Sequence, residues 1–344
     1  MRFAAGLVAC LLLSSCAFPG SVKPAVKIGL SAPFEGLYRD LGYEVLYATR
    51  LAVRERNGAG GVAERYLVEL VALNDFNEPQ EAVLQAREMA ADPGVLGVLG
   101  GWSSLTARQS APEYARLGLP FLTPDGDPAA LGGELARFVV ENLGLYRAAI
   151  LCSGNTADEE LAEAFATAFA DQGGATLVVQ RHSDMQGRSR LRSEESVQVA
   201  LDGQPDLLFI AADAPLAAEW IVQAREVGFV GPIAGGPGLG SPLLVEIGAE
   251  AVEGTFYVSP FPPLEEYAAF QEVYQALSGG APPGPIAAWA YEAAGRLLDA
   301  LDIAARGSGH LDRAAVEAAL VSMRDGEPGA YVYAVRGGKP FQRP

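Results

Sequence analysis

Two short stretches of the chain carry side chains whose types and spacing suit the capture of a small charged molecule. The first is Trp102-Ser103-Ser104-Leu105-Thr106, which follows the apolar run Val95–Leu99 through Gly100-Gly101 and leads into a helix-period segment. A strand that turns on glycines into a helix start aims free backbone N–H groups and hydroxyls past the end of a sheet, which suits a carboxylate. Ser103 and Ser104 read also as helix caps, a role that does not exclude ligand contact, and Trp102 reads also as core packing. The second stretch is Thr123-Pro124-Asp125-Gly126-Asp127-Pro128. Asp127 ahead of Pro128 reads as an N-cap with proline at the first helical position. The alternative is that Asp125, Asp127 or both receive a ligand ammonium through a charge-assisted bond.

The elements around these stretches alternate between β-rich apolar runs and helix-period segments. Val26–Leu30 reads as a strand, and Leu41–Asn57 as a helix with Leu41, Val45, Ala48, Leu51 and Ala52 at three-to-four spacing, stopped by Asn57-Gly58. Tyr66–Leu73, Val95–Leu99 and Leu119–Thr123 read as further strands, separated by helices over Glu78–Ala91 and roughly Ser104–Leu117. The pattern restarts with strands at Arg147–Cys152, Ala175–Gln180 and Asp206–Ala211 and helices at Asp158–Gln172 and Leu191–Leu201. Parallel strands need such crossovers, so each half reads as a doubly wound α/β unit.

The alternation continues from Pro215–Val227 to the strand Gly254–Val258, then breaks. Pro263–Leu277, Pro285–Arg306 and Asp312–Met323 are helical with no strand between them. That run fits a chain that leaves the second sheet near Ser259-Pro260-Phe261-Pro262-Pro263 and returns to cover the first, with Tyr331–Val335 as a late strand re-entering the second. Between the halves, Leu135–Leu143 reads straight from helix into strand.

Composition removes several classes of function. With 25 basic against 42 acidic residues, the 344-residue chain carries a net charge of −17, which repels nucleic acid and anionic headgroups. His182 and His310 lie far apart with no metal-ligand spacing around them, so no metal and no cofactor is expected. Gly97-Val98-Leu99-Gly100-Gly101 lacks the Lys-Ser/Thr of a phosphate loop, and no nucleophile elbow occurs, so an enzyme is not expected. Cys152, after Ala148-Ala149-Ile150-Leu151, reads as a small hydrophobe near the end of a buried strand.

The N-terminus carries one arginine, Arg2, and an apolar or small run of eleven residues from Phe3 to Leu13. At about 1.5 Å per residue that is roughly 17 Å of helix against a hydrocarbon core of about 30 Å, too short to span and typical of a cleaved export signal. Leu13-Ser14-Ser15-Cys16 resembles a bacterial lipobox, which implies cleavage after residue 15 and lipidation of Cys16. Multiple acyl chains would hold the protein on a membrane facing the periplasm or the cell exterior. Losing Arg2 takes the mature chain to 24 basic against 42 acidic residues, a net charge of −18.

Taken in order, many segments resemble the type I periplasmic binding proteins, closest to the leucine/isoleucine/valine-binding group of ABC-transporter receptors. They include Val26-Lys27-Ile28-Gly29-Leu30-Ser31-Ala32-Pro33, Asn57-Gly58-x-Gly60-Gly61-Val62, Asn74-Asp75, Pro79-x-x-Ala82 and Val95–Gly101 with Trp102-Ser103-Ser104. Arg116-x-Gly118-Leu119-Pro120-Phe121-Leu122-Thr123-Pro124, Gln223-Ala224-Arg225-x-x-Gly228 and Val252-Glu253-Gly254-Thr255 extend the likeness over nearly the whole mature chain. The resemblance implies two doubly wound α/β lobes joined by a multi-strand hinge, with a small ligand clamped between them and the closed form handed to ABC permease subunits. The lobes would be 26–130 plus 262–325 and 131–261 plus 326–344, after a signal at 1–15 and a lipidated stalk at 16–25.

The resemblance also assigns positions. Ser104 would help hold an amino acid's α-carboxylate, Trp102 would be a wall, and Leu41 is counted with the ligand-binding positions. In amino-acid-binding relatives a second-lobe aromatic falls at Asp213, the carboxylate that grips the ammonium falls at Pro237, and a stacked tyrosine falls near Ala157. A proline cannot make that ion pair. Asp213 either replaces the missing carboxylate or simply precedes a helix starting at Pro215. The stretch from Pro124 to Arg147 is also shorter than the family pattern by about a strand and a turn, which implies a rearranged first crossover. The implied function is a lipid-anchored receptor of an ABC importer for a branched-chain amino acid, amide, amine or related metabolite. The alternative is an envelope lipoprotein that uses the same fold as a sensor, or as a protein-binding activator or scaffold.

Overall fold

The computed structural model describes residues 23–124, 126–182, 189–307, 311–323, 329–337 and 339–342. The expected export signal at 1–15, Cys16, Asp125 and His310 lie outside the described residues. Four strands form the first sheet: β1 (Ala25–Ala32), β2 (Leu67–Asn74), β3 (Val95–Leu99) and β4 (Phe121–Leu122), all parallel, in the order β2-β1-β3-β4. Helices α1 (Arg39–Gly58), α2 (Pro79–Ala91) and α3 (Ser104–Arg116) connect them. β3 is buried along its whole length, as a parallel strand covered on both faces must be.

The second sheet holds seven strands in the order β11-β10-β9-β8-β7-β5-β6. These are β5 (Arg147–Cys152), β6 (Ala175–Arg181), β7 (Leu207–Ala211), β8 (Ile233–Gly235), β9 (Phe256–Ser259), β10 (Tyr331–Arg336) and β11 (Lys339–Gln342). β5 to β9 pair in parallel, whereas β10 and β11 are antiparallel. The late strand does join this sheet, through Tyr331 opposite Ser259 and Ala334 opposite Phe256. α5 (Thr156–Asp171), α6 (Ser189–Asp202), α7 (Ala214–Glu226) and α8 (Pro242–Gly248) link the parallel strands. Cys152 ends β5 with 1% exposure, and burial pushes its thiol up to about 11, so it behaves as the small hydrophobe expected.

One expectation fails. Leu135–Leu143 does not pass from helix into strand, because α4 (Pro128–Glu141) runs unbroken to a cap at Asn142. Phe138-Val139-Val140 has local strand character, but the buried positions Leu131, Leu135, Ala136, Phe138 and Val139 follow helical spacing. Gly132 permits this packing: a Cβ there would stand 2.6 Å from the backbone N of Phe165 on α5. The chain therefore passes from β4 directly into a helix that packs on the second sheet's side.

After β9 the chain returns through Pro260–Pro263 to α9 (Ala268–Leu277), α10 (Pro285–Gly307) and α11 (Arg313–Ser322). These helices share a core with the first sheet, in which Leu297, Leu298 and Leu301 of α10 meet Leu30, Leu51 and Leu96. Gly97 lets α10 approach, since a Cβ at that position would lie 2.5 Å from Leu297 Cδ1. Two doubly wound lobes result, each with its own core, and the chain crosses between them after β4, after β9 and between α11 and β10.

Candidate functional site

In open α/β sheets, ligands bind beyond the carboxyl ends of the strands. In the first lobe these ends lead into Pro33–Tyr38, Asp75–Glu78, Gly100–Ser103 and Thr123-Pro124. In the second they lead into Ser153–Asn155, Ala212-Asp213 and Gly236-Pro237.

Gly101 makes the turn after β3 at φ +69°, where a Cβ would collide with Ala107 and Thr123 Oγ1. Thr123 Oγ1 donates to Gly101 O at 3.1 Å, tying the β3 and β4 ends together. Ser103 is the N-cap of α3 in a reciprocal capping box with Thr106: the Thr106 N–H donates to its Oγ at 3.4 Å, and the Ser103 N–H donates to Thr106 Oγ1 at 3.2 Å. Ser104, the first residue of α3, is half-buried, and its hydroxyl has no partner among the described residues. Of the two serines, Ser104 keeps a hydroxyl to offer. Trp102 is only 7% exposed; its Nε1 donates to Ser31 O at 2.7 Å and its ring stands edge-on to Trp289 at 5.7 Å. Both partners hold it in the core behind the rim.

Asp127 caps α4, accepting from the N–H groups of Ala129 at 3.3 Å and Ala130 at 3.2 Å. Leu41 lies within the first turn of α1, partly buried against the first core. Ala157 is the second residue of α5 and 6% exposed. Pro237 opens a single 3-10 turn, Pro237–Gly240, that presses on the β7–α7 connection so closely that a Cβ at Gly238 would sit 2.4 Å from Ala212 O. That loop brings no carboxylate to the rim.

Asp213 does bring one. Its Oδ1 caps α7, accepting from the Leu216 N–H at 3.3 Å, while its Oδ2 accepts from the Tyr38 hydroxyl of the opposite lobe at 3.1 Å. Tyr38 closes the loop after β1. Burial, then the Asp213 charge, push its hydroxyl pKa well above the ordinary value. Beside Asp213 stands Asp158, which accepts from Ser153 Oγ at 2.6 Å and from Asn155 Nδ2, with Asn155 capping α5. Burial raises the Asp158 carboxyl and the neighbouring Asp213 charge raises it further, while the hydrogen bonds oppose the shift. A second link crosses the mouth: Arg108 Nη1 on α3 meets Glu160 Oε2 on α5 at 2.6 Å.

The structure thus brings Asp213 to the lobe interface, buries Trp102 and Ala157, and leaves Leu41 partly buried against the first core. Sequence reasoning missed Tyr38, Ser153, Asn155 and Asp158. Asn155-x-x-Asp158 is a capping pattern directly after a strand, and Tyr38 follows β1 at the same rim; scanning every strand-end loop alike would have found both. Among the described residues no group of three or more His, Cys, Asp or Glu side chains is placed to hold a metal ion. No helix among them is long and apolar enough to cross a membrane.

Known proteins share this architecture. A leucine-binding protein of Thermotoga maritima superposes with a TM-score of 0.78 at 26% identity, over 93% of this chain and 98% of that one. An ABC transporter substrate-binding protein of Desulfitobacterium hafniense, solved in complex with leucine, superposes at 0.75 with 22% identity, over 93% of this chain and all of that one, a likeness of fold. A Leu/Ile/Val-binding protein homolog of Brucella abortus is 27% identical over 113 residues, 33% of this chain and 30% of its own length. The chain thus matches less than a third of the length of that curated relative. All three are named as binding proteins, and the two solved ones share the two-lobed architecture with this chain. The model of the periplasmic binding protein family matches residues 25–338, the two lobes and every crossing between them, so the chain belongs to that family.

Proposed function

We propose that this protein is a lipid-anchored receptor of an ABC importer that closes its lobes, 26–130 plus 262–325 and 131–261 plus 326–344, on a small amphipathic metabolite bearing an amine or amide. Branched-chain amino acids, their amides and related amines are the candidate class. The observation that carries the reading is the meeting of the two strand-end rims at Tyr38 and Asp213. Asp213 supplies the carboxylate that Pro237 lacks, and the α3 N-terminus at Ser104 supplies N–H groups and a hydroxyl for a carboxylate or carbonyl. Asp125 and Asp127 remain ligand positions in this proposal, at the first crossing.

A thermal-shift panel of leucine, isoleucine, valine, their amides and the matching amines tests it. A cognate ligand at one hundred times its Kd adds about 2.7 kcal/mol of stability. A flat response across all three compound classes would reject the receptor reading and favour the sensor or scaffold use of the fold, for which the missing carboxylate at Pro237 already speaks. The anchor has its own test: Cys16→Ser should move the protein from the membrane fraction to the soluble one, and retention on membranes would overturn lipidation.

A further inference from the structure

The first sheet stops at β4, where only Phe121 and Leu122 pair, with Val98 and Leu99 of β3. Beyond that margin α10 and α11 continue, leaving a groove of about 510 Å³ whose inner wall is Phe121, Leu122 and Thr123 and whose flanks include Trp289 and Leu320. Trp289 is braced by Trp102 at 5.7 Å and Phe261 at 6.3 Å, so this flank is firmly held. A terminal strand presents unpaired backbone N–H and C=O groups on its outer side, the template for a further strand about 4.8 Å away. Glu292 of α10 and Glu317 of α11 also line the groove; both are exposed, and neither has an ion-pair partner among the described residues. Among the described residues lining it the one cation is Arg296, which donates through Nη2 to Met323 O at 2.8 Å and is thereby tied to the end of α11.

We propose that this groove takes an extended segment of a partner protein as a fifth strand, bonded to Phe121–Thr123 and presenting a Lys or Arg to Glu292 and Glu317. Backbone pairing gives such docking its affinity, and side chains on alternate positions give it selectivity. A second copy of this chain fits poorly. Its β4 is equally short, and it would bring the same two carboxylates on a molecule of net charge −17. The site is separate from the Tyr38–Asp213 rim, and its test is independent of the ligand.

The test uses the full chain and three acetylated, amidated heptapeptides: Val-Lys-Val-Thr-Val-Lys-Val, the same with Glu for Lys, and the Lys form with alternate amides replaced by esters. The Lys peptide should bind and slow hydrogen exchange at Phe121 and Thr123, whose backbone groups face away from β3, whereas the Pro120 and Leu122 carbonyls accept from Val98 and Gly100. The Glu and ester forms should each lose at least tenfold in affinity, and the exposed-site variant Glu292→Gln/Glu317→Gln at least fivefold without a change in Tm. Absence of protection at those two amides, or equal binding of the ester form, would overturn the proposal. So would equal binding of n-butylamine at the groove, which would make it a small-cation pocket, or dimerisation of the unliganded chain that buries it.

Discussion

The Tyr38 hydroxyl donates to the Asp213 carboxylate at 3.1 Å, joining residues 175 positions apart on opposing rims of the two lobes. The same carboxylate caps α7 through its other oxygen. One side chain therefore sets a helix start and faces the cleft, which separates its two roles experimentally.

Asp213→Asn keeps the cap, because Asn and Asp cap helices about equally, but removes the charge. Tm should hold, while affinity for a cationic ligand head should fall roughly ten- to a hundredfold, the loss of a charge-assisted bond of about 1.5–3 kcal/mol. Titration calorimetry with the best compound of the panel measures it. Unaltered affinity would leave Asp213 as a cap alone.

The two links across the mouth should bias the lobes toward closure. Arg108–Glu160 is partly exposed, with side-chain accessibilities of 27% and 46%, so its contribution is below about 1 kcal/mol and is screened by salt. Combining Glu160→Gln with Tyr38→Phe should raise the radius of gyration of the unliganded protein in solution scattering. Added salt should move the parent in the same direction. An unchanged scattering profile would mean that neither link sets the resting state.

Gly97→Ala forces a methyl against Leu297 Cδ1 at 2.5 Å, in the middle of a fully buried strand. Overpacking of this kind costs about 1–3 kcal/mol. Chemical denaturation should show that loss, and pairing the change with Leu297→Ala should give less than the sum of the two single effects. Strict additivity would show that the close approach of α10 is not what requires glycine.

Glu44 on α1 reaches the start of α10, its Oε1 accepting from the Gly284 N–H at 2.7 Å. Burial pushes its carboxyl up to about 7, against the opposing pull of the Gly284 and Ala287 N–H groups. A carboxyl whose folded pKa is raised holds its proton more tightly when folded, so its contribution is full below about pH 4.5 and is lost as pH rises through about 7. Glu44→Gln should remove this fall in stability, which amounts to at most roughly 3 kcal/mol. Thermal melts at pH 5 and pH 8 compare the two, and identical pH slopes would refute the assignment.

Much of the fold was legible in the residues because burial on both faces leaves a local record. Runs such as Val95–Leu99 and Leu207–Ala211 are apolar throughout, and the helices between them keep apolar residues at three-to-four spacing. Leu135–Leu143 misled because Phe138-Val139-Val140 favours a strand locally, whereas the packing of Gly132 against α5 holds a helix. The candidate site was less legible. Asp213 stood out as a lone carboxylate after a buried strand, but Ser153, Asn155 and Asp158 resemble an ordinary helix start, and nothing near Tyr38 in sequence points to its partner.

The amino-acid order by itself determined two wound α/β lobes and a chain that returns to cover the first, since these follow from periodicity and from the need of parallel strands for crossovers. Only the tertiary structure decided that Trp102 turns into the core, that Gly238, next to Pro237, presses on the β7–α7 connection, and that Tyr38 meets Asp213. Backbone periodicity is written within a few residues of itself. A side chain's partner depends on how distant strand ends are stacked, and that is settled when the lobes pack.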